Sequence, residues 1–218
     1  MNLLALETAT PMCSVALSVS GQIAARSELA ARGHALRLLP WCEELLAEGG
    51  LEFSDLDGLV VGRGPGGFTS LRIGLAVAQG VALAHALPIY PVSSLAALAL
   101  AADPRADHQR ILALIDARMG EVFAGWFERR DGLLHPLKPE AVLAPADVLL
   151  PDNQRWLIAG SGLAAYLDTL SERLDAVGHD FRPDAWPQAE QLFGWVDRVE
   201  PLPAWELEPT YVRNRVTQ

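Results

Sequence analysis

LLALETA at residues 3–9 and LALIDAR at residues 112–118 are two apolar runs that each leave the hydrophobic pattern on an acidic residue, Glu7 in one and Asp116 in the other. The segments downstream of the two runs are alike as well. After the first run come CSVALSVSG and GQIAARSELA, both strand-like, with Ser20-Gly21 marking a hairpin turn between them. A helix over about residues 34–48, a strand in LDGLVVG, a long helix from about Thr69 to residue 87, a strand in PIYPVSS and a short helix in SLAALALAA complete the first half. After the second run, EVFAGWFERR alternates like a hairpin partner and LHPLKPEAVLA supplies a third strand. APADVLLP, RWLIAGSG, LAAYLDTLSERL and QAEQLFGWVDRV then read as helix, strand, helix and helix. Three strands followed by alternation is the order of a mixed sheet with helices packed on it. The chain therefore reads as α/β with two related lobes, residues 1–103 and a smaller 104–218, divided where Pro104 and a cluster of charges break the apolar pattern in ADPRADHQR. Acidic strand ends facing one cleft would suit a ligand. The competing reading is that any buried strand tends to end on a polar residue as it leaves the core.

Composition narrows the function. The chain has 218 residues, half of them hydrophobic, enough to bury one large core or two small ones. Its formal net charge of −10 offers no broad basic face for nucleic acid, so any service to RNA is expected to run through a partner. The opening MNLLALETA lacks a basic flank, and the apolar run over residues 73–87 is shorter than the roughly 18 residues needed to span a bilayer, so a cytoplasmic location without a membrane is expected. Cys13 and Cys42 read as small buried hydrophobes. His34, His85, His108, His135 and His179 are scattered, with no pair at i, i+3 or i, i+4, and no metal site is expected.

GRGPGGFTSLRIG, residues 62–74, sits between the LDGLVV strand and the long helix, a setting in which backbone N–H groups and a helix dipole favour an anion. It lacks the Lys-Ser/Thr pair of a nucleoside-triphosphate loop, and its glycines do not keep the dinucleotide spacing. The alternative is a tight turn in which Pro65 fixes its own φ and Thr69 caps the helix.

With that loop, the segments LLALETATPMCSVAL, RGHALRLLP, IDARMGEVF and PTYVR resemble, in order and over nearly the whole chain, the TsaB (YeaZ) family, which serves the synthesis of threonylcarbamoyladenosine in tRNA. The resemblance implies an actin-like, Hsp70-like ATPase fold of two RNase H-like lobes. It also implies a non-catalytic scaffold that pairs with the catalytic subunit TsaD and works with the ATPase TsaE, that self-associates as a homodimer when alone, and that meets tRNA only through the complex. Against active members of that superfamily the phosphate turns are degraded: Glu7, Thr8 and Ala9 replace an Asp and a glycine-bearing turn, Asp116 is followed by Ala117, Arg118 and Met119, and Ser93, Ser94 and Leu95 stand where TsaD carries its metal-binding histidines. No cofactor is therefore required, and at most a weak nucleotide cleft involving Glu7, Thr8, Asp116, Gly160 and Gly162 remains. The rival is an enzyme in its own right, a nucleotide-dependent transferase or hydrolase. Ser161 in AGSG lacks both the Gly-x-Ser-x-Gly elbow and an oriented histidine.

The first helix independently suggests a partner. At 100° per residue, Leu38, Trp41, Cys42 and Leu45 form one stripe and Leu36, Leu39 and Leu46 the next, an arc about twice as wide as a surface helix needs. The long helix is small or apolar nearly all round, with Gly74 and Ala78 allowing close approach and Arg72 beside them. The expected partner surface is Leu38, Trp41, Leu45, Arg72, Gly74 and Ala78, a location that agrees with the family's association through its first helices. Tyr211-Val212-Arg213 has no assigned role; Arg213 and Arg215 read either as residues of a solvated tail, the commoner case, or as contacts to RNA or a partner in the assembled complex.

Overall fold

A computed structural model describes residues 1–29, 33–174 and 178–212. The chain opens with three antiparallel strands, β1 (Asn2–Glu7), β2 (Met12–Val19) and β3 (Gln22–Leu29). Ser20 and Gly21 both take positive φ, 51° and 85°, as a two-residue turn matched to strand twist requires. Helix α1 (His34–Glu48), strand β4 (Gly58–Gly62), helix α2 (Phe68–His85), strand β5 (Ile89–Val92) and helix α3 (Ser94–Ala102) come next along the chain. Strands β4 and β5 run parallel to β1, so the first sheet has the order β3-β2-β1-β4-β5.

The second half repeats that plan. Strands β6 (Arg110–Arg118) and β7 (Glu121–Arg130) form a hairpin, and β7 pairs antiparallel with both β8 (Leu133–Pro136) and β9 (Ala141–Leu143). Strands β10 (Leu157–Ala159) and β11 (Asp180–Arg182) add in parallel on the other side of β6, giving β11-β10-β6-β7-β8. From β6 outward, the sense of every neighbour is that of the first sheet from β1 outward. Helices α4 (Ser161–Ala165) and α5 (Leu167–Leu174) lie between β10 and β11, and α6 (Ala189–Leu192) comes near the end of the chain.

Two compact units result, one of Met1–Ala97 with Pro187–Thr210 and the other of Leu98–Trp186. A division at 103/104 would leave residues 187–210 with the second lobe, whereas they pack in the first. Ile89 and Leu202 exchange backbone hydrogen bonds of 2.9 and 2.8 Å along the edge of β5, and Gln79 Nε2 donates to the carbonyls of Ala204 and Leu207, both at 3.1 Å. Ala204 and Leu207 thereby enter the core that Leu4, Leu6, Val15 and Leu17 make with α1 and α2. The core of the second unit is built on Leu112, Leu114, Trp126, Trp156 and Ile158.

Other local expectations change. APADVLLP makes only a 3-10 turn at Pro145–Asp147, and the helix expected over 188–199 becomes α6 with a 3-10 stretch, Phe193–Arg198, directly after it. Strand β11 has no counterpart among the elements expected from sequence. Thr69 does not cap α2. The N-cap is Gly67, it makes no side-chain cap hydrogen bond, and the Ser70 hydroxyl instead donates to the Gly67 carbonyl at 3.3 Å. Arg32, Arg213 and Arg215 lie outside the described residues.

Candidate functional site

The last residue of β1 is fully buried, and its carboxylate is spoken for within the first unit. Glu7 Oε1 accepts the Ala9 N–H at 2.7 Å, and Oε2 accepts the Ser94 hydroxyl at 2.8 Å. Ser94 in turn accepts the Gly64 N–H at 3.2 Å and donates its own N–H to the Gly64 carbonyl at 2.9 Å. One hydroxyl at the start of α3 thus ties the end of β1 to the glycine-rich loop. Burial raises the Glu7 pKa, and the Ala9 and Ser94 donors only partly oppose it. Both carboxylate oxygens are thus occupied by donors of the chain itself.

The glycine-rich loop is pressed onto the turn after β1, where a bound phosphate would need space. The Gly67 N–H donates to the Ala9 carbonyl at 2.7 Å, so one backbone donor that could have met an anion is used inside the chain. A Cβ at Gly62 would lie 2.1 Å from Glu7 Oε2, and one at Gly66 would lie 2.2 Å from the Ala9 carbonyl oxygen. A Cβ at Gly74 would lie 2.2 Å from Thr8 Oγ1. The glycines of GRGPGGFTSLRIG therefore allow close backbone contact with residues 7–9.

The end of β6 is built differently. Asp116 is only partly buried; its Oδ1 accepts the Arg118 N–H at 2.8 Å and its Oδ2 pairs with Arg118 Nη1 at 3.0 Å. Arg118, Met119 and Gly120 take consecutive positive φ values of 61°, 56° and 79°, which places Met119 at the tip of the hairpin, 87% exposed. The Asp116 N–H donates to Ser161 Oγ at 3.2 Å, so Ser161 holds the turn after β10 against β6. Gly160, at φ 108°, approaches the Leu114 carbonyl so closely that a Cβ would sit 2.3 Å away, whereas a Cβ at Gly162 would lie 3.0 Å from Leu114 Cβ. The structure brings Asp116, Gly160 and Gly162 together in the second unit, and Glu7 with Thr8 in the first. Among the described residues, no three His, Cys, Asp or Glu side chains converge as metal ligands. Burial pushes the Cys13 thiol up to about 11 and Cys42 up to about 12, which makes both inert buried hydrophobes.

The α1–α2 surface corrects the partner face expected from sequence. Leu38, Cys42 and Leu45 have no exposure, Leu46 has 2%, and all four belong to the core of the first unit. Trp41 is partly buried against that core. The outward stripe of α1 is Leu36, 80% exposed, and Leu39, 40% exposed, followed directly by Pro40 inside the helix. In α2, Gly74 and Ala78 also point inward, whereas Arg72 is exposed and stacks on the exposed Phe68 ring at 3.7 Å. Leu83, 61% exposed, continues the outward face. Leu38, Leu45, Gly74 and Ala78 thus cannot meet a partner without the core opening, and the accessible apolar surface is Leu36, Leu39, Phe68 and Leu83. A signal for it was present: Pro40 and Glu43 share the side of Leu36 at helical spacing, and both are poor core residues. Ser94 was missed as a structural bridge because nothing local marks a serine whose partners lie 30 and 87 residues away.

A family model described as "TsaD: tRNA N6-adenosine threonylcarbamoyltransferase" matches residues 22–171. The chain is 39% identical to the tRNA threonylcarbamoyladenosine biosynthesis protein TsaB of Escherichia coli strain K12, an alignment that covers 99% of this chain and 96% of that one. It is 36% identical to the protein of the same name from Haemophilus influenzae, covering 100% of this chain and 95% of the relative. The solved structure of YeaZ from Pseudomonas aeruginosa superposes with a TM-score of 0.88 at 39% identity, covering 96% of this chain and 99% of that one.

Proposed function

Because the chain belongs to the TsaB family of tRNA threonylcarbamoyladenosine biosynthesis proteins, we propose that it is the non-catalytic scaffold of a threonylcarbamoyl-transfer complex. It pairs with the transferase subunit TsaD and works with TsaE, and it carries no cofactor of its own. The two sheets, with their shared strand order, are RNase H-like lobes of the actin-like ATPase kind. The observation that carries the proposal is the contrast within the first unit. The chain's own loop fills the turn after β1, where an active relative would hold phosphate, while an apolar face on α1 and α2 is left uncovered. Leu36, Leu39, Phe68 and Leu83 make that face the docking surface for TsaD, and in its absence for a second copy of this chain. With a net charge of −10, the protein meets tRNA in the cytoplasm only as part of the complex.

Two substitutions on α1 test this. Leu36→Glu is expected to give a cooperatively melting protein that no longer co-purifies with TsaD and no longer supports threonylcarbamoyl transfer when mixed with the other subunits. Leu45→Glu places a charge in the core and is expected to unfold the first unit. A folded Leu36→Glu protein that binds TsaD and supports transfer like the parent would overturn the docking surface. ATP turnover by the isolated parent that is lost in Asp116→Ala would overturn the scaffold reading.

A further inference from the structure

The second unit holds a cluster of ionisable side chains apart from the end of β6. His108, between α3 and β6, has both ring nitrogens on carboxylates, Nδ1 at 3.0 Å from Asp103 Oδ1 and Nε2 at 2.9 Å from Asp180 Oδ2. A neutral imidazole has one N–H and can donate to only one of two acceptors, so this arrangement requires the doubly protonated ring. Partial burial pulls the His108 pKa down, but the two carboxylates outweigh it and leave the pKa raised.

The two anchors are unequal. Asp103 is buried and keeps other donors, namely Arg129 Nη2 at 2.8 Å and the N–H groups of Asp107 and His108 at 3.0 and 3.2 Å. Arg129 also reaches the His108 carbonyl through Nε at 3.3 Å. Asp180 is more exposed, and its other cation is the largely solvated Arg155 at 2.8 Å. The next charges belong to other partners. Arg110 pairs with Glu128 and with Asp152, and His179, beside Asp180 in sequence, accepts the Trp156 N–H through Nδ1 at 3.1 Å. When His108 loses a proton, the bond to Asp180 is therefore the one that fails. Asp180 opens β11, a three-residue strand at the edge of its sheet that pairs in parallel with β10 and packs its middle residue, Phe181, against the core of the unit. So short an edge strand depends on side-chain anchors.

We propose that His108 is a proton-operated clamp that, as imidazolium, fastens edge strand β11 to the connection between α3 and β6, and that loss of one proton releases that strand. Linkage sets the sign. The open form keeps His108 on Asp103 alone, and the clamped form, with a second carboxylate on the ring, holds the proton more tightly. Opening is therefore independent of pH below the pKa of the open ring, rises by up to tenfold per pH unit above it, and levels off once the pH passes the pKa of the clamped ring.

Amide hydrogen exchange of the full-length protein between pH 5.5 and 9, corrected for the intrinsic pH dependence of exchange, tests the clamp. Protection of the Asp180 and Arg182 amides, on the residues of β11 that face β10, should stay flat at low pH, fall above the pKa of the open ring with a slope of at most one decade per unit, and then plateau. Amides in the centre of β6 should stay protected across the range. His108→Gln keeps polar atoms but cannot titrate, and should show weak protection of β11 at every pH. An NMR titration of the parent should place the His108 ring above the ordinary histidine value. The proposal is overturned if β11 protection does not change with pH, if His108→Gln retains the parent's pH dependence, or if the ring titrates at or below 6.5.

Discussion

Strands β1 and β6 occupy the same place in two sheets of the same order, yet one acidic end is sealed and the other is open. Glu7 is buried under the glycine-rich loop, with both carboxylate oxygens occupied by the chain's own donors. Asp116, its side chain 15% exposed, sits at the base of a hairpin whose tip is exposed, and the Arg118 side chain it pairs with is 79% exposed. The difference lies in the elements packed against each strand end. Gly62, Gly66 and Gly74 let β4, its loop and α2 close to within contact of residues 7–9, while Gly120 at the tip of the β6–β7 hairpin has open space around it. A repeated topology therefore fixes where a ligand site could be, and the depth of local packing decides whether one remains.

The largest effect that would break this comparison is expected from Gly66→Ala. The new methyl group would overlap the Ala9 carbonyl, which is backbone and cannot swing aside, so the unfolding free energy measured in urea should fall by about 3 kcal/mol. Gly120→Ala faces no atom and only strains a positive φ, at about 1 kcal/mol. Equal losses would mean that the loop is not pressed onto the turn. Next comes Ser94→Ala, which leaves a buried Gly64 N–H and a Glu7 oxygen without their partner and should cost about 2 kcal/mol.

Glu7→Gln sharpens the contrast through pH. The folded pKa of Glu7 is raised, so the native state holds more protons than the unfolded chain between the ordinary glutamate value of 4.5 and the raised one, and stability contributed at this site falls as pH rises across that window. The variant keeps one acceptor and has no proton to exchange at this site, so whatever the cost of the lost acceptor it should gain on the parent between pH 4 and pH 8, in melts at the two pH values. A parent advantage that grows from pH 4 to pH 8 would show that the ionised carboxylate is stabilising. The smallest effect is expected at the end of β6: Asp116→Asn keeps an acceptor for the Arg118 N–H and loses only an ion pair to a largely solvated arginine, so its melting should change by no more than about 0.5 kcal/mol.

Much of the local structure was legible in the sequence because it is locally encoded. The Ser20-Gly21 turn, α1 over 34–48, α2 and the β6–β7 hairpin arise from turn chemistry and hydrophobic period, which depend on residues within a few positions of one another. Strand β11 was not legible. Three residues carry no usable period, and its existence depends on β10 beside it. The same limit explains the partner face. Periodicity put Leu38, Cys42 and Leu45 on one side of α1 and Leu36, Leu39 and Leu46 on another, but it cannot say which side the sheet covers, and Leu46 is buried in the core with the first group.

By itself, the sequence determined the two-fold repeat of strand order, the acidic residue at or near the end of each leading strand, and membership in the TsaB family, since each rests on residue identity and order along the chain. Tertiary structure alone decided that Glu7 is closed off by Ser94 and the glycine loop, that residues 187–210 return to pack in the first unit, and that His108 stands between Asp103 and Asp180. Each of these joins groups far apart in the chain, and whether such groups meet depends on how whole elements pack, which no local preference of the backbone or side chain specifies.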